Sequence, residues 1–274
     1  MENTAQASTA ARMLNKVPEI TFFFWIIKIM ATTVGETAAD YLNFNLGFGL
    51  TNTSYVMGGL LAAVLAYQLA RRRYVPWLYW LTVVLISIVG TLITDNLTDV
   101  FGVPLWASTT VFSALLAVTF LAWYASEKTL SIHSIYTRRR ELFYWAAILF
   151  TFALGTAAGD LATEGIGLGY LQGTLIFGGL IALTAVGYFA MGVNAVLGFW
   201  VAYILTRPLG ASIGDLLSQA PSDDGLGLSH FGINAVFFVI IVALVGHLTV
   251  TRADSPSKDE EMAAKEHWTK VARN

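Results

Sequence analysis

Four aspartates, Asp40, Asp95, Asp160 and Asp215, stand at the same place in four copies of one pattern, [FY]-W-x9-G-x4-D. Each follows by five residues a glycine (Gly35, Gly90, Gly155, Gly210) and by fifteen a tryptophan (Trp25, Trp80, Trp145, Trp200). All four sit in strongly apolar surroundings, where an ionisable side chain costs at least about 2.5–3.5 kcal/mol and marks a functional site by default. Carboxylates brought together repel, so they must hold a cation, share protons or pair with bases. Oxygen donors in a chain without cysteine suit hard divalent cations such as Mg²⁺, Ca²⁺ or Mn²⁺ better than Cu(I) or Zn²⁺. Glu36 and Asp99 are candidate auxiliary ligands or proton carriers, Glu164 stands nearby, and Thr91, Thr94, Asn96, Thr156 and Ser212 offer neutral oxygens. A second reading gives the aspartates a structural task, capping the backbone N–H groups of the turns that follow them.

Two cations fall inside apolar stretches, Lys28 and Arg207, the latter followed by Pro208, which opens the helical hydrogen-bond ladder. They can pair with the intramembrane carboxylates or snorkel. They can instead gate the carboxylate site as tethered counter-ions, or bind a small organic anion. His133, His230, His247 and His267 have no metal-ligand spacing and read as surface or packing residues, with His247 a minor candidate for a proton relay. No nucleophile–base pair stands out, so catalysis is not expected, and an enzyme acting on lipid is the weakest reading. No cofactor motif is present.

The elements that must position these residues are membrane-spanning helices. Of the 274 residues, 56% are hydrophobic and 12% charged, about half the charge of a water-soluble domain. Apolar stretches run over about 20–42, 54–70, 76–98, 105–126, 142–162, 168–190, 194–217 and 230–251, each long enough to cross about 30 Å of hydrocarbon. Arg71, Arg72, Arg73, Lys128, Arg138, Arg139 and Arg140 lie in alternate loops, while the loops around 43–53, 99–104, 163–167 and 218–229 carry no Lys or Arg. By the positive-inside rule both termini are cytoplasmic and the acidic loops face outward. Residues 1–17 read as a disordered polar tail and not as a cleaved signal peptide, 18–252 as the membrane domain, and 253–274 as a charged cytoplasmic tail. The basic loops are accounted for by topology and need no nucleic acid; the expected partners are the lipid bilayer and a small cation, in a monomer or a homodimer.

Each copy extends into a second helix. VMGGLLA from Val56, VFSALLA from Val111 and IFGGLIA from Ile176 begin sixteen residues after the first three aspartates, and VFFVIIV from Val236 follows a longer loop. A repeat of two helices enters the membrane from the same side every time, so the four are parallel. The copies, about 18–72, 73–130, 138–192 and 193–251, are spaced 55, 65 and 55 residues apart. The expected fold is all-α: eight transmembrane helices as four parallel two-helix repeats with pseudo-fourfold, two-plus-two symmetry and odd-numbered helices in equivalent places. Fifteen residues raise each aspartate about 22 Å above its tryptophan. Tryptophans in a cytoplasmic aromatic belt then leave all four aspartates in the outer third of the membrane. The glycines admit close helix approach.

ITFFFWIIKIMATTVGETAADYLN, YWLTVVLISIVGTLITDNLTD, FTFALGTAAGDLA and AYILTRPLGASIGDLLSQ resemble a widespread family of bacterial membrane proteins described only as uncharacterised, repeat-containing or membrane-anchored. The resemblance covers about residues 14–252 and implies a bacterial inner-membrane location, with no activity to carry over. The residues themselves point to a transport protein for cations, foremost a divalent metal ion, with proton-coupled export the preferred direction. The alternatives are a non-transporting scaffold with aspartate caps and a carrier of organic anions through Lys28 and Arg207.

Overall fold

A computed structural model describes residues 16–71, 73–135 and 137–255. The charged tail beyond Ser255 and the polar segment before Lys16 lie outside the described residues.

Among the described residues, eight helices are long and apolar enough to cross a membrane. They are α1 (Phe22–Asp40), α2 (Gly49–Ala70), α3 (Pro76–Asp95), α4 (Leu105–Glu127), α5 (Arg138–Asp160), α6 (Tyr170–Met191), α7 (Ala195–Ser218) and α8 (His230–Thr251). Local sequence sets the starts of the odd-numbered helices. Thr21, Thr137 and Asn194 accept hydrogen bonds from backbone N–H groups of the first turns of α1, α5 and α7, and Pro76 opens α3. At their far ends α1, α3 and α5 widen into five-residue π-helical turns, Tyr41–Asn45, Asn96–Val100 and Leu161–Gly165, each beginning directly after the repeat aspartate. In the fourth copy α7 stays α-helical past Asp215 to Ser218.

The odd-numbered helices form a closed inner ring in which α1 packs on α3, α3 on α5, α5 on α7 and α7 on α1. Each outer helix leans on the inner helix of the next copy: α2 on α3, α4 on α5, α6 on α7, and α8 on α1. The pseudo-fourfold arrangement follows. Burial separates the two sets, with 61–78% of the inner spans enclosed against 6–22% of the outer ones. The outer helices therefore turn long apolar faces toward lipid.

The repeat glycines close the ring. A methyl group on Gly35 would overlap Ser87, one on Gly90 Phe152, one on Gly155 Arg207, and one on Gly210 Thr32. In every copy the glycine thus receives the residue that stands three places before the next copy's glycine. Hydroxyls tie the same crossings, Thr32 Oγ1 donating to the Thr206 carbonyl at 3.2 Å and Thr94 Oγ1 to that of Ala153 at 3.1 Å.

The tryptophans, expected at the depth of a cytoplasmic belt, pack between the repeats at the basic end. Trp80, Trp145 and Trp200 are buried and Trp25 is half-buried. With their aromatic neighbours they make a closed circuit of rings: Phe24–Trp80, Tyr79–Trp145, Tyr144–Trp200 and Phe199–Trp25 across copies, at centroid distances of 5.4, 5.6, 6.3 and 5.8 Å. The physical reason is the closed ring itself, which offers these large apolar bodies a site between helices where edge-to-face contacts add to burial. The Tyr79 and Tyr144 hydroxyls hydrogen-bond each other inside this layer.

The basic end is laced together beyond the helices. Lys16 and Val17, expected in the polar tail, are buried, and Lys16 pairs with Glu141 and donates to the Leu69 carbonyl at 3.3 Å. Glu19 N–H donates to the Asp254 carbonyl at 3.0 Å, and Tyr74 donates to the Asp254 carboxylate. Burial pushes the Asp254 carboxyl above its ordinary range, with the Tyr74 hydrogen bond opposing.

Gly210→Val should destabilise the protein by about 1–3 kcal/mol or more, since Thr32 cannot retreat from a filled crossing. Gly58→Ala, on an open face of α2 where nothing lies within 4 Å, should stabilise by about 0.5–1 kcal/mol. Unfolding in detergent, followed by heat or denaturant, distinguishes the two.

Candidate functional site

Along each inner helix the residues that build the centre recur every fourth position. Read across the four copies they stack as five layers: Phe24/Tyr79/Tyr144/Phe199, Lys28/Val83/Ile148/Tyr203, Thr32/Ser87/Phe152/Arg207, Glu36/Thr91/Thr156/Ala211 and Asp40/Asp95/Asp160/Asp215. All twenty are buried or half-buried. The first layer, at the basic end, is the aromatic circuit and the last is the ring of aspartates.

Arg207 ties the middle together. It is wholly buried, and its Nη2 donates to Glu36 Oε2 at 2.6 Å, to Thr156 Oγ1 at 2.7 Å and to Thr91 Oγ1. Its acceptors come from α1, α3 and α5 at one register, so a single cation from the fourth copy is received by the other three. Nη1 reaches the Thr32 carbonyl at 3.4 Å, while Nε is buried with no partner among the described residues. Pro208 removes the N–H that would serve the Ile204 carbonyl, and its ring fits against Gly155 beside the arginine stem. The expected pairing of a membrane cation with a carboxylate therefore holds for Arg207.

Lys28 is different. Its ammonium is wholly buried and has no hydrogen-bond acceptor among the described residues; it lies over the rings of Phe152 and Tyr203, 4.0 and 4.3 Å from their centroids. It neither snorkels nor pairs with an acid. Phe152 and Tyr203 carry no membrane-site signal on their own, and only alignment of the four copies at period four places them beside Lys28.

Among the described residues the aspartates do not behave as caps. Asp40, Asp95 and Asp160 precede the π-helical turns without accepting a backbone hydrogen bond there. Asp40 lies 3.5 Å from His230 Nε2, whereas no hydrogen bond or ion pair reaches the carboxylates of Asp95, Asp160 or Asp215 among the described residues. What they have is one another. The four share one layer, a turn beyond the Arg207–Glu36 pair. Exposure increases toward the acidic end: Glu36 and Asp215 are buried, Asp40, Asp95 and Asp160 half-buried, and Asp99 and Glu164 exposed, the last accepting from Tyr170 at 3.2 Å. No three His, Asp or Glu side chains among the described residues are close enough together to hold a metal ion. The acids share a field without sharing a ligand position.

His230, expected as a surface or packing residue, thus joins the acidic ring, and its position at the first turn of α8 gave no sign of that. His247 lies on an exposed face of α8 with its ring 5.5 Å from that of Phe23. Thr94 serves a helix crossing, and Asn96 donates to Ser54 at 2.8 Å and to the Leu92 carbonyl at 2.6 Å. Ser212 Oγ is buried and has no hydrogen-bond partner among the described residues.

Four segments, 23–74, 78–129, 143–193 and 198–254, match the family described as Repeat of Unknown Function (DUF347). The chain belongs to the DUF347 repeat family. The matched segments coincide with the four copies of the DUF347 unit described above, each one inner helix and one outer helix. No curated protein and no solved structure matches the chain.

Arg207→Met should cost about 3–5 kcal/mol, because the Glu36 carboxylate is left buried without its cation. Adding Glu36→Gln should recover most of that loss in the same unfolding measurement. A double variant no more stable than the single one would show that the pair does not carry the middle of the ring.

Proposed function

We propose that this DUF347 protein is a cation transporter of the bacterial inner membrane, with both termini cytoplasmic and the aspartate ring opening outward. The observation that carries this reading is a layer of four repeat aspartates that cap nothing, three of them without a partner among the described residues, one turn beyond a buried Arg207–Glu36 pair. Such a set attracts and concentrates cations in a low-dielectric mouth. Glu36 receives the cargo, and Arg207 occupies its carboxylate when cargo is absent, so that the charge is never left bare. The aromatic circuit closes the cytoplasmic end in this state and must part for release, as alternating access requires. The π-helical turns that begin at three of the aspartates fit this reading, since such turns cluster at functional sites. A scaffold would use its aspartates as caps or in fixed ion pairs, which is the arrangement Asp95 and Asp160 lack.

The double substitution Asp95→Asn with Asp160→Asn tests the assignment. In proteoliposomes it should lower cation flux at least tenfold. The unfolding temperature of the solubilised protein should stay level or rise, because two half-buried carboxyl groups without a partner among the described residues give way to neutral amides. Flux equal to that of the unaltered protein would count decisively against the assignment.

A further inference from the structure

Lys28 and Arg207 are the two places where a positive charge interrupts the fourfold repetition of the inner layers. Their register partners are Val83, Ile148 and Tyr203 for the lysine, and Thr32, Ser87 and Phe152 for the arginine. Each of the two is received by residues of other copies. The guanidinium meets Glu36, Thr91 and Thr156, and the ammonium meets Phe152 and Tyr203. The centre of the ring therefore contains two cradles, one made of a carboxylate with two hydroxyls and one made of ring faces, and each is filled by an organic cation that belongs to the chain.

We propose that the cargo is itself an organic cation bearing a guanidinium or ammonium group, for which Arg207 and Lys28 are tethered stand-ins. This rests on the transport reading and narrows its substrate class. Hydration energetics favour it. Divalent metals need six or more oxygen ligands to replace their water, and the Phe152–Tyr203 cage supplies only π faces to the ammonium it holds. Guanidinium is weakly hydrated and takes planar, multiple hydrogen bonds, while aromatic cages recognise substituted ammonium groups. A cation moving inward from the aspartates meets the oxygen cradle first and the π cradle one or two turns deeper. Two buried hydroxyls in these layers, Ser87 Oγ and that of Tyr203, have no hydrogen-bond partner among the described residues and can accept. They offer a polar head group hydrogen bonds that the resting side chains leave unmade.

Uptake by proteoliposomes of the full chain, preloaded for counterflow, tests this with three probes: methylguanidinium, tetramethylammonium and Mn²⁺. Saturable methylguanidinium uptake is expected, falling at least tenfold in the Asp95→Asn, Asp160→Asn double variant. Phe152→Leu and Tyr203→Leu keep apolar volume in the ring, and each should raise the half-saturating concentration of tetramethylammonium at least tenfold. Competition between methylguanidinium and Mn²⁺ on the unaltered protein needs no variant. Aspartate-dependent Mn²⁺ uptake that methylguanidinium neither shares nor inhibits would overturn the cargo class and leave the transport reading standing. Methylguanidinium uptake with both leucine variants unchanged would overturn the π cradle, and no aspartate-dependent uptake of any probe would overturn both readings.

Discussion

The close crossing of neighbouring inner helices at glycine is the constraint from which the rest of this membrane protein follows. At Gly35, Gly90, Gly155 and Gly210 the next helix presses a side chain into the space a Cβ would take. Within a bilayer there is little hydrophobic gain in bringing helices together, so association leans on such packing and on hydrogen bonds between helices. Because the same crossing occurs at every joint, the four inner helices share one register. Side chains four residues apart then meet their counterparts at a common depth, and the aromatic circuit, the two cradles and the aspartate ring are consequences of that alignment.

Charge placement within this frame follows from how costly it is to bury. Arg207 is tolerated because three helices supply it with acceptors and Glu36 neutralises it. Lys28 is tolerated without an acid because two ring faces lie against it. The remaining carboxylates are tolerated because they sit toward the open, acidic end, where exposure rises from Asp215 to Glu164. The protein is thus sealed by aromatics at one end and graded in charge toward the other.

Much of this was readable in the residues. The pattern joining Trp80, Gly90 and Asp95, repeated without change in the other copies, gives the repeat, the parallel arrangement and the even depth of the aspartates. The glycines are readable as approach points because nothing else at that spacing is invariant among the copies. The circuit that the tryptophans close was not legible, since each of its joining contacts pairs rings of different copies. Nor was the partner of Arg207. Glu36, Thr91 and Thr156 lie 171, 116 and 51 residues away, and only the shared register shows that they form one cradle. His230 beside Asp40 depends on α8 folding back onto α1, a contact between the two ends of the chain that local pattern does not encode.

The outward helices carry a lesson about assembly. Since α2 rests on α3, α4 on α5, α6 on α7 and α8 on α1, a solitary unit would offer one donating and one accepting flank and satisfy neither by itself. Units of that kind join head to tail and close after four, as separate subunits do in a cyclic homotetramer. Here the four units are joined in one polypeptide. Covalent linkage lets each unit differ from the others, so a hoop of near-equals holds one lysine and one arginine where strict symmetry would force four of each.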